Sequence, residues 1–239
     1  MIKGAAGATG FSLIDPIEVY YLPNENTFYP IISKSGCSSI KLMLIRRFEP
    51  VYENAFPGIH QVNPAKITSG KLECVYFKTQ KTYAKWAEGK KMIFVMREPV
   101  SRLYSCYLDV IGNKNTMYLY PSGLDWYFKY TTDLTFDEFF RKVCSTPDAL
   151  SDRHFRSQSF YLSDTVKSSL KSLEAISLKE YMSKSFDKNE TGKKGSVKLN
   201  TNNTSIPEEL KEKLVQSTEF KERFKTDLLL FEWIKQNAV

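Results

Sequence analysis

Thr27 to Phe48 reads TFYPIISKSGCSSIKLMLIRRF. Phe28, Tyr29, Ile31 and Ile32 make an apolar run of strand length, and Ile40, Leu44 and Phe48 then recur at helical spacing. Between them lies a polar turn, Ser33-Lys34-Ser35-Gly36-Cys37-Ser38-Ser39. A chain that passes from a strand through Gly and small hydroxyl residues into a helix leaves several backbone N–H groups without intrahelical partners, aimed at one spot. Such a spot suits an anion. Lys34 adds a mobile positive charge, and Ser38 or Ser39 adds a hydroxyl donor, so the turn can be a phosphate or sulfate cradle. An ordinary strand–turn–helix with an N-cap serine accounts for the same residues. The lysine precedes the only glycine of the turn, whereas the nucleotide-triphosphate loop needs Gly, four residues, then Gly-Lys-Ser/Thr, which counts against an ATPase or GTPase.

The 239 residues are 42% hydrophobic and 26% charged, enough to bury a real core, and fit one α/β domain or one domain with a small appendage. A net charge of +7 and a pI near 9.0 favour an acidic partner, among them a phosphorylated cofactor, an acidic sugar, nucleic acid or an anionic membrane. No basic stretch interleaves aromatic residues as a single-strand stacking platform would, and there is no zinc-finger or RNP-like motif, so no nucleic-acid partner is expected. Cys37, Cys74, Cys106 and Cys144 are too dispersed for a C-x-x-C metal site and read as reduced, mostly buried thiols. Neither a signal-like N-terminus nor an apolar run of about 20 residues is visible, and a cytoplasmic protein without a transmembrane segment is expected.

Residues 1–26 read as a lead-in partly ordered against the sheet. Glu49 to Gly70 is rich in Pro and Gly and holds His60. Cys74–Phe77 and Met92–Met96 are strand-like runs separated by a helical stretch with Tyr83 and Trp86, which predicts βαβ units and a parallel sheet. Thr135–Glu138 and Ser177–Glu180 are capping boxes opening helices, a last strand is expected over Val166 to Leu173, and Ser205-Ile206-Pro207-Glu208 opens a C-terminal helical pair. Asp187 to Ser205 is a polar loop with Lys193, Lys194 and Asn200.

A second stretch, Arg97-Glu98-Pro99-Val100-Ser101-Arg102-Leu103-Tyr104-Ser105, places an arginine at a strand's carboxyl end and a proline at the first position of a helix. Arg102 and Ser105 share a face of that helix. Ligands of parallel sheets gather at the carboxyl ends of strands, and Arg97 with Ser105 could meet one phosphate there. An arginine capping the sheet and a salt-bridged Arg102 are the plainer account.

Together the two stretches resemble the sulfotransferases that use 3′-phosphoadenosine 5′-phosphosulfate (PAPS). Lys34-Ser35-Gly36-Cys37-Ser38 matches that family's P-K-x-G-C-T/S loop, with Ser33 in place of proline, and Arg97 to Ser105 matches R-D/E-P-x-x-R-x-x-S. Asp152-Arg153-His154-Phe155-Arg156-Ser157-Gln158 is similar to the D-x-H-W-x-P-Q segment of the Golgi carbohydrate branch (sulfotransferase family 2). Phe224-Lys225-Thr226-Asp227-Leu228-Leu229-Leu230-Phe231 is similar to its terminal helix. The resemblance implies a P-loop-like three-layer α/β fold with a central, mainly parallel sheet flanked by helices, and one sulfotransferase domain over residues 27–239.

It further implies in-line transfer of a sulfuryl group from PAPS to a hydroxyl, on a glycan or another acceptor, by an enzyme that positions its substrates and stabilises charge and needs no metal. Lys34 would meet the charge on the departing oxygen. Backbone amides from Ser35 through Gly36, Cys37 and Ser38 to Ser39 would hold the 5′-phosphate, and Arg97 and Ser105 the 3′-phosphate; Lys193, Lys194 and Asn200 are further cofactor candidates. The general base is sought first at His154, then at His60 or a carboxylate such as Glu73. Arg153 and Arg156 could dock an anionic acceptor. Two other classes stay open, a nucleotide-binding kinase and a non-catalytic basic glycan-binding module.

Overall fold

The computed structural model describes residues 13, 15–52, 58–109, 134–187 and 205–237. Lys193, Lys194 and Asn200 lie outside them. Five strands form one sheet in the order β3-β1-β2-β4-β5: β1 (Ile17–Leu22), β2 (Thr27–Pro30), β3 (Glu73–Phe77), β4 (Lys91–Met96) and β5 (Ser172–Ser177). β2 pairs parallel with β4 and β4 with β5, whereas β1 runs antiparallel to both β2 and β3. Four strands therefore point one way and β1 points back.

β1 corrects the reading of residues 1–26 as a lead-in. Its sequence, IEVYYL, is β-branched and aromatic, and Asn26 in the left-handed region (φ 46°) closes the turn into β2. Side chains alternate across the sheet. Ile17 and Val19 of β1, Phe28 of β2 and Met92, Phe94 and Met96 of β4 face one core, closed by Tyr83, Val166 and Ile234. Tyr20, Leu22, Tyr29 and Val95 face the other, against Ile40, Leu44 and Ile45 of α1 (Cys37–Arg46). The first core is covered by α3 (Gln80–Ala87), α6 (Asp164–Ser169) and α10 (Lys225–Asn237), where α2 is the short Pro64–Ile67 turn. A third, aromatic cluster joins α4 (Pro99–Tyr107) and α5 (Phe136–Ser145) to α8 (Glu208–Gln216) and α9 (Thr218–Arg223) through Leu103, Phe139, Leu214 and Phe220.

Further expectations shift. The last strand begins later than Val166, because Asp164–Ser169 is helical and buries Val166, while the run after it pairs Lys91↔Ser172 through Met96↔Ser177. The C-terminal pair is a trio, broken where Ser217 ends α8 and caps α9 with a bond from Phe220 N–H. α1 ends at Arg46, so Phe48 lies beyond it. The expected capping box opens α5, while at α7 (Leu178–Asp187) only its first half forms, Glu180 N–H donating to Ser177 Oγ at 3.2 Å. All four cysteines are free thiols, though only Cys106 is buried.

Candidate active site

β2 and β4 are parallel, so the turn after β2 and Arg97 after β4 emerge at the same end of the sheet. The reversed β1 begins at that end, bringing Glu18 and the preceding Asp15 to it; Ile31 N–H donates to the Glu18 carbonyl, 2.9 Å. The turn is held by its carbonyls and by Ser35. Lys34 has φ 62° and Gly36 φ 79°, left-handed values that cost a non-glycine residue energy unless its surroundings enforce them. Arg102 Nε donates to the Ser33 carbonyl (3.0 Å), Arg97 Nη1 to the Lys34 carbonyl (3.1 Å), and Ser35 Oγ to Gln158 Oε1 (2.6 Å). Three consecutive residues are clamped from two other segments, the Arg97 to Ser105 series and the turn of Gln158. At Gly36 a Cβ would also lie 2.5 Å from Leu178 Cδ1 at the start of α7, so that a side chain there would displace the leucine.

With the carbonyls taken up, the amides are left over. The first N–H bond of α1 runs from Ile40 to the Gly36 carbonyl, 2.9 Å, and Gly36 supplies no side-chain cap. The N–H groups of Gly36, Cys37, Ser38 and Ser39 thus have no partner among the described residues, as an anion-binding helix start requires. Ser35 departs from the expected set. Its N–H donates to the Ile32 carbonyl and its buried hydroxyl to Gln158. The Lys34 ammonium rests on Asp109, 2.5 Å away, two residues beyond α4.

The second motif divides its labour. Glu98 caps α4 by accepting from Val100 N–H (2.9 Å) and Ser101 N–H (2.7 Å), with Pro99 at the first helical position. Arg102 is buried rather than salt-bridged at the surface, donating to Ser33 and, 3.2 Å away, to the Arg153 carbonyl. Arg97 and Ser105 line a cleft together with Ser101, Tyr104 and Ser205. Gln158 joins the motifs: its Oε1 also accepts from Arg97 N–H (3.0 Å) and its Nε2 donates to the Arg97 carbonyl (2.8 Å). Its own turn is capped by the buried Asp227 carboxylate, which accepts from the N–H groups of Gln158 (2.9 Å) and Ser159 (2.7 Å). Burial raises the Asp227 pKa against the lowering effect of these bonds.

The two histidines differ in state. His154 Nδ1 lies 2.5 Å from Asp152 Oδ1, which also accepts from His154 N–H (2.8 Å). Burial pushes the Asp152 carboxyl up, but the His154 charge and hydrogen bonds outweigh it and leave the group below its ordinary value. An ionised Asp152 holds the proton on Nδ1, so Nε2 is the nitrogen able to accept one. His60 ends a short turn within the Pro- and Gly-rich segment, with Nε2 2.9 Å from Ser38 Oγ and Nδ1 3.3 Å from Lys41 Nζ.

Arg153 and Arg156 both bond the segment around Asp15. Arg153 contacts Asp15 Oδ2 (3.5 Å) and Glu18 Oε2 (3.2 Å), and fully buried Arg156 donates to the carbonyls of Asp148 (3.1 Å), Asp15 (2.8 Å) and Ser151 (3.0 Å). Arg156 is therefore withdrawn from docking an acidic acceptor, whereas the Arg153 side chain stays 30% exposed. Sequence reasoning also passed over Glu18, Lys41 and Asp109. A signal existed for Glu18, a carboxylate in the buried phase of IEVYYL, and for Lys41, one helical turn after Ser38; Asp109 carried none.

No curated protein and no solved structure matches the chain. The Sulfotransferase family model matches residues 18–233, from the first buried carboxylate of β1 to the last helix, and takes in every clamp described above. The chain belongs to the sulfotransferase family and is an enzyme of sulfuryl transfer.

Proposed function

We propose that the donor is PAPS and the acceptor a hydroxyl of a carbohydrate, with the sulfuryl group passed by in-line displacement. The observation that carries this reading is the double engagement of Arg97, which holds the Lys34 carbonyl of the turn while lining a cleft with Ser105. A guanidinium and a hydroxyl at one cleft suit a phosphate monoester. The unbonded amides of Gly36 to Ser39 suit a second anion at the α1 start. When bound, PAPS supplies a sulfuryl group on its 5′-phosphate and a 3′-phosphate that distinguishes it from ATP.

Lys34 neutralises charge beside those amides, exchanging its Asp109 partner for the anion. His154, oriented by Asp152, takes the acceptor proton on Nε2. His60 is the poorer base, because burial foremost and then Lys41 push its pKa down to about 4. The choice of a carbohydrate acceptor is supported by the similarity of the segments around His154 and Asp227 to those of the carbohydrate branch.

A thermal-shift titration with adenosine 3′,5′-bisphosphate (PAP), beside AMP and ATP with magnesium, tests the donor. PAP at 100 times its Kd should stabilise the fold by about 2.7 kcal/mol, selectively over the other two. Arg97→Ala should weaken PAP by about 2 to 3 kcal/mol, with Ser105→Ala weakening it less. AMP matching PAP would overturn the 3′-phosphate assignment, and a response to ATP alone would favour a kinase.

A further inference from the structure

Beneath the turn runs a chain of polar groups, buried at Glu18, Lys41 and Ser38 and half-buried at Arg153 and His60, that the transfer chemistry above does not use. Arg153 Nη1 donates to Glu18 Oε2, 3.2 Å, and Lys41 Nζ donates to Glu18 Oε1, 2.6 Å, with Lys41 only 1% exposed. Lys41 Nζ reaches His60 Nδ1 at 3.3 Å, and His60 Nε2 reaches Ser38 Oγ at 2.9 Å. The chain thus leads from the reversed strand β1, through α1 and the His60 turn, to the second residue of α1.

Donor counting gives this chain a direction. An ammonium only donates, so His60 Nδ1 must accept from Lys41. A neutral imidazole then carries its proton on Nε2, and that N–H donates to Ser38 Oγ. With Ser38 accepting, its own hydroxyl proton must turn elsewhere. Among the described residues its other contact is Cys37 Sγ at 4.0 Å, a weak acceptor at a long distance.

We propose that Lys41 and His60 are positioning residues that set the Ser38 hydroxyl as a hydrogen-bond donor to the anion held at the start of α1. This deepens the PAPS reading and rests on it. Ser38 sits within the four unbonded amides, so its hydroxyl adds a fifth donor to the same spot. The ring's surroundings keep it neutral: burial, Lys41, Arg153 and His154 lower its pKa against the opposing Glu18 carboxylate. The arrangement also makes the two histidines opposites, His154 with its proton on Nδ1 and His60 with its proton on Nε2.

The test uses the whole chain, whose only histidines are His60 and His154. Long-range proton–nitrogen spectra of ¹⁵N-histidine-labelled protein should show one neutral ring protonated on Nε2 that His60→Gln removes. In calorimetric titrations with PAP, His60→Leu and Ser38→Ala should each bind about tenfold more weakly, and the double variant no more weakly than either. His60→Gln should recover most of that loss, because its amide group donates to Ser38 while its carbonyl accepts from Lys41.

A His60 ring protonated on Nδ1, with PAP binding intact, would overturn the positioning role alone. So would His60→Gln binding as weakly as His60→Leu, or binding PAP normally with turnover abolished, which would make the ring a base. Failure of the unsubstituted protein to bind PAP would instead overturn the PAPS reading, and with it the donor role of Ser38.

Discussion

Replacing Gln158 by leucine should be among the most damaging single changes in this protein, although Gln158 is not assigned any contact with substrate. Its side chain makes three hydrogen bonds, accepting from Ser35 Oγ (2.6 Å) and Arg97 N–H (3.0 Å) and donating to the Arg97 carbonyl (2.8 Å), and it is fully buried. Leucine fits roughly the same volume but leaves those three groups unpaired. An unpaired buried polar group costs about 1 to 3 kcal/mol, and local relaxation recovers part of that, so a loss of about 3 to 5 kcal/mol is expected. Total stability is usually about 5 to 15 kcal/mol, so the variant should remain folded but fragile. Urea denaturation followed by circular dichroism measures the effect. With a slope near 3 kcal/mol per molar, the midpoint should fall by about 1 to 1.7 M. Ser35→Ala, which removes one donor and leaves the Gln158–Arg97 pair intact, should cost only about 1 kcal/mol. A midpoint for Gln158→Leu within about 0.3 M of the parent, or no larger a shift than Ser35→Ala produces, would refute the claim that this side chain ties the turn to the end of β4.

Two further outcomes follow from the histidines. His154→Ala should lower kcat by at least about a hundredfold while leaving PAP affinity nearly unchanged, as expected for loss of a general base, and normal turnover would move the base elsewhere. Stability should also depend on acid through His60. Its folded pKa, lowered to about 4 by burial first and Lys41 second, lies below the unfolded value of 6.5, so the unfolded chain binds the extra proton between them. The contribution is complete above about pH 6.5 and is lost as pH falls toward 4, reaching about 2 kcal/mol at pH 5. His60→Gln should flatten that window when urea midpoints at pH 7 and pH 5 are compared. Equal pH dependence in the two proteins would mean that the His60 ring titrates normally.

The legible parts of the molecule were the local ones. β2, the turn and α1 followed from apolar spacing around a Gly-containing polar segment, and α4 from a proline behind a capping glutamate, because periodicity and caps are properties of neighbouring residues. β1 was passed over because its six residues, IEVYYL, form a strand without a helix behind them, and a βαβ pattern leads the eye past a reversed strand. The strand expected from Val166 fell on a helix, since a short apolar run carries no period long enough to separate the two.

The sequence by itself singled out the groups of the candidate site: the Lys34 turn, the Arg97 to Ser105 series and the His154 patch, each a set of side chains at fixed local spacing. Only the tertiary structure decided what those groups do to one another. Arg102 proved to hold a carbonyl of the turn, Gln158 to join the two motifs and His60 to face Lys41, through contacts spanning 69, 123 and 19 residues. Such pairings depend on strand order and direction, above all on the reversal of β1 that carries Glu18 to the end of the sheet where β2 and β4 finish. Local spacing contains no information about that reversal, because it arises from burying both faces of the sheet at once.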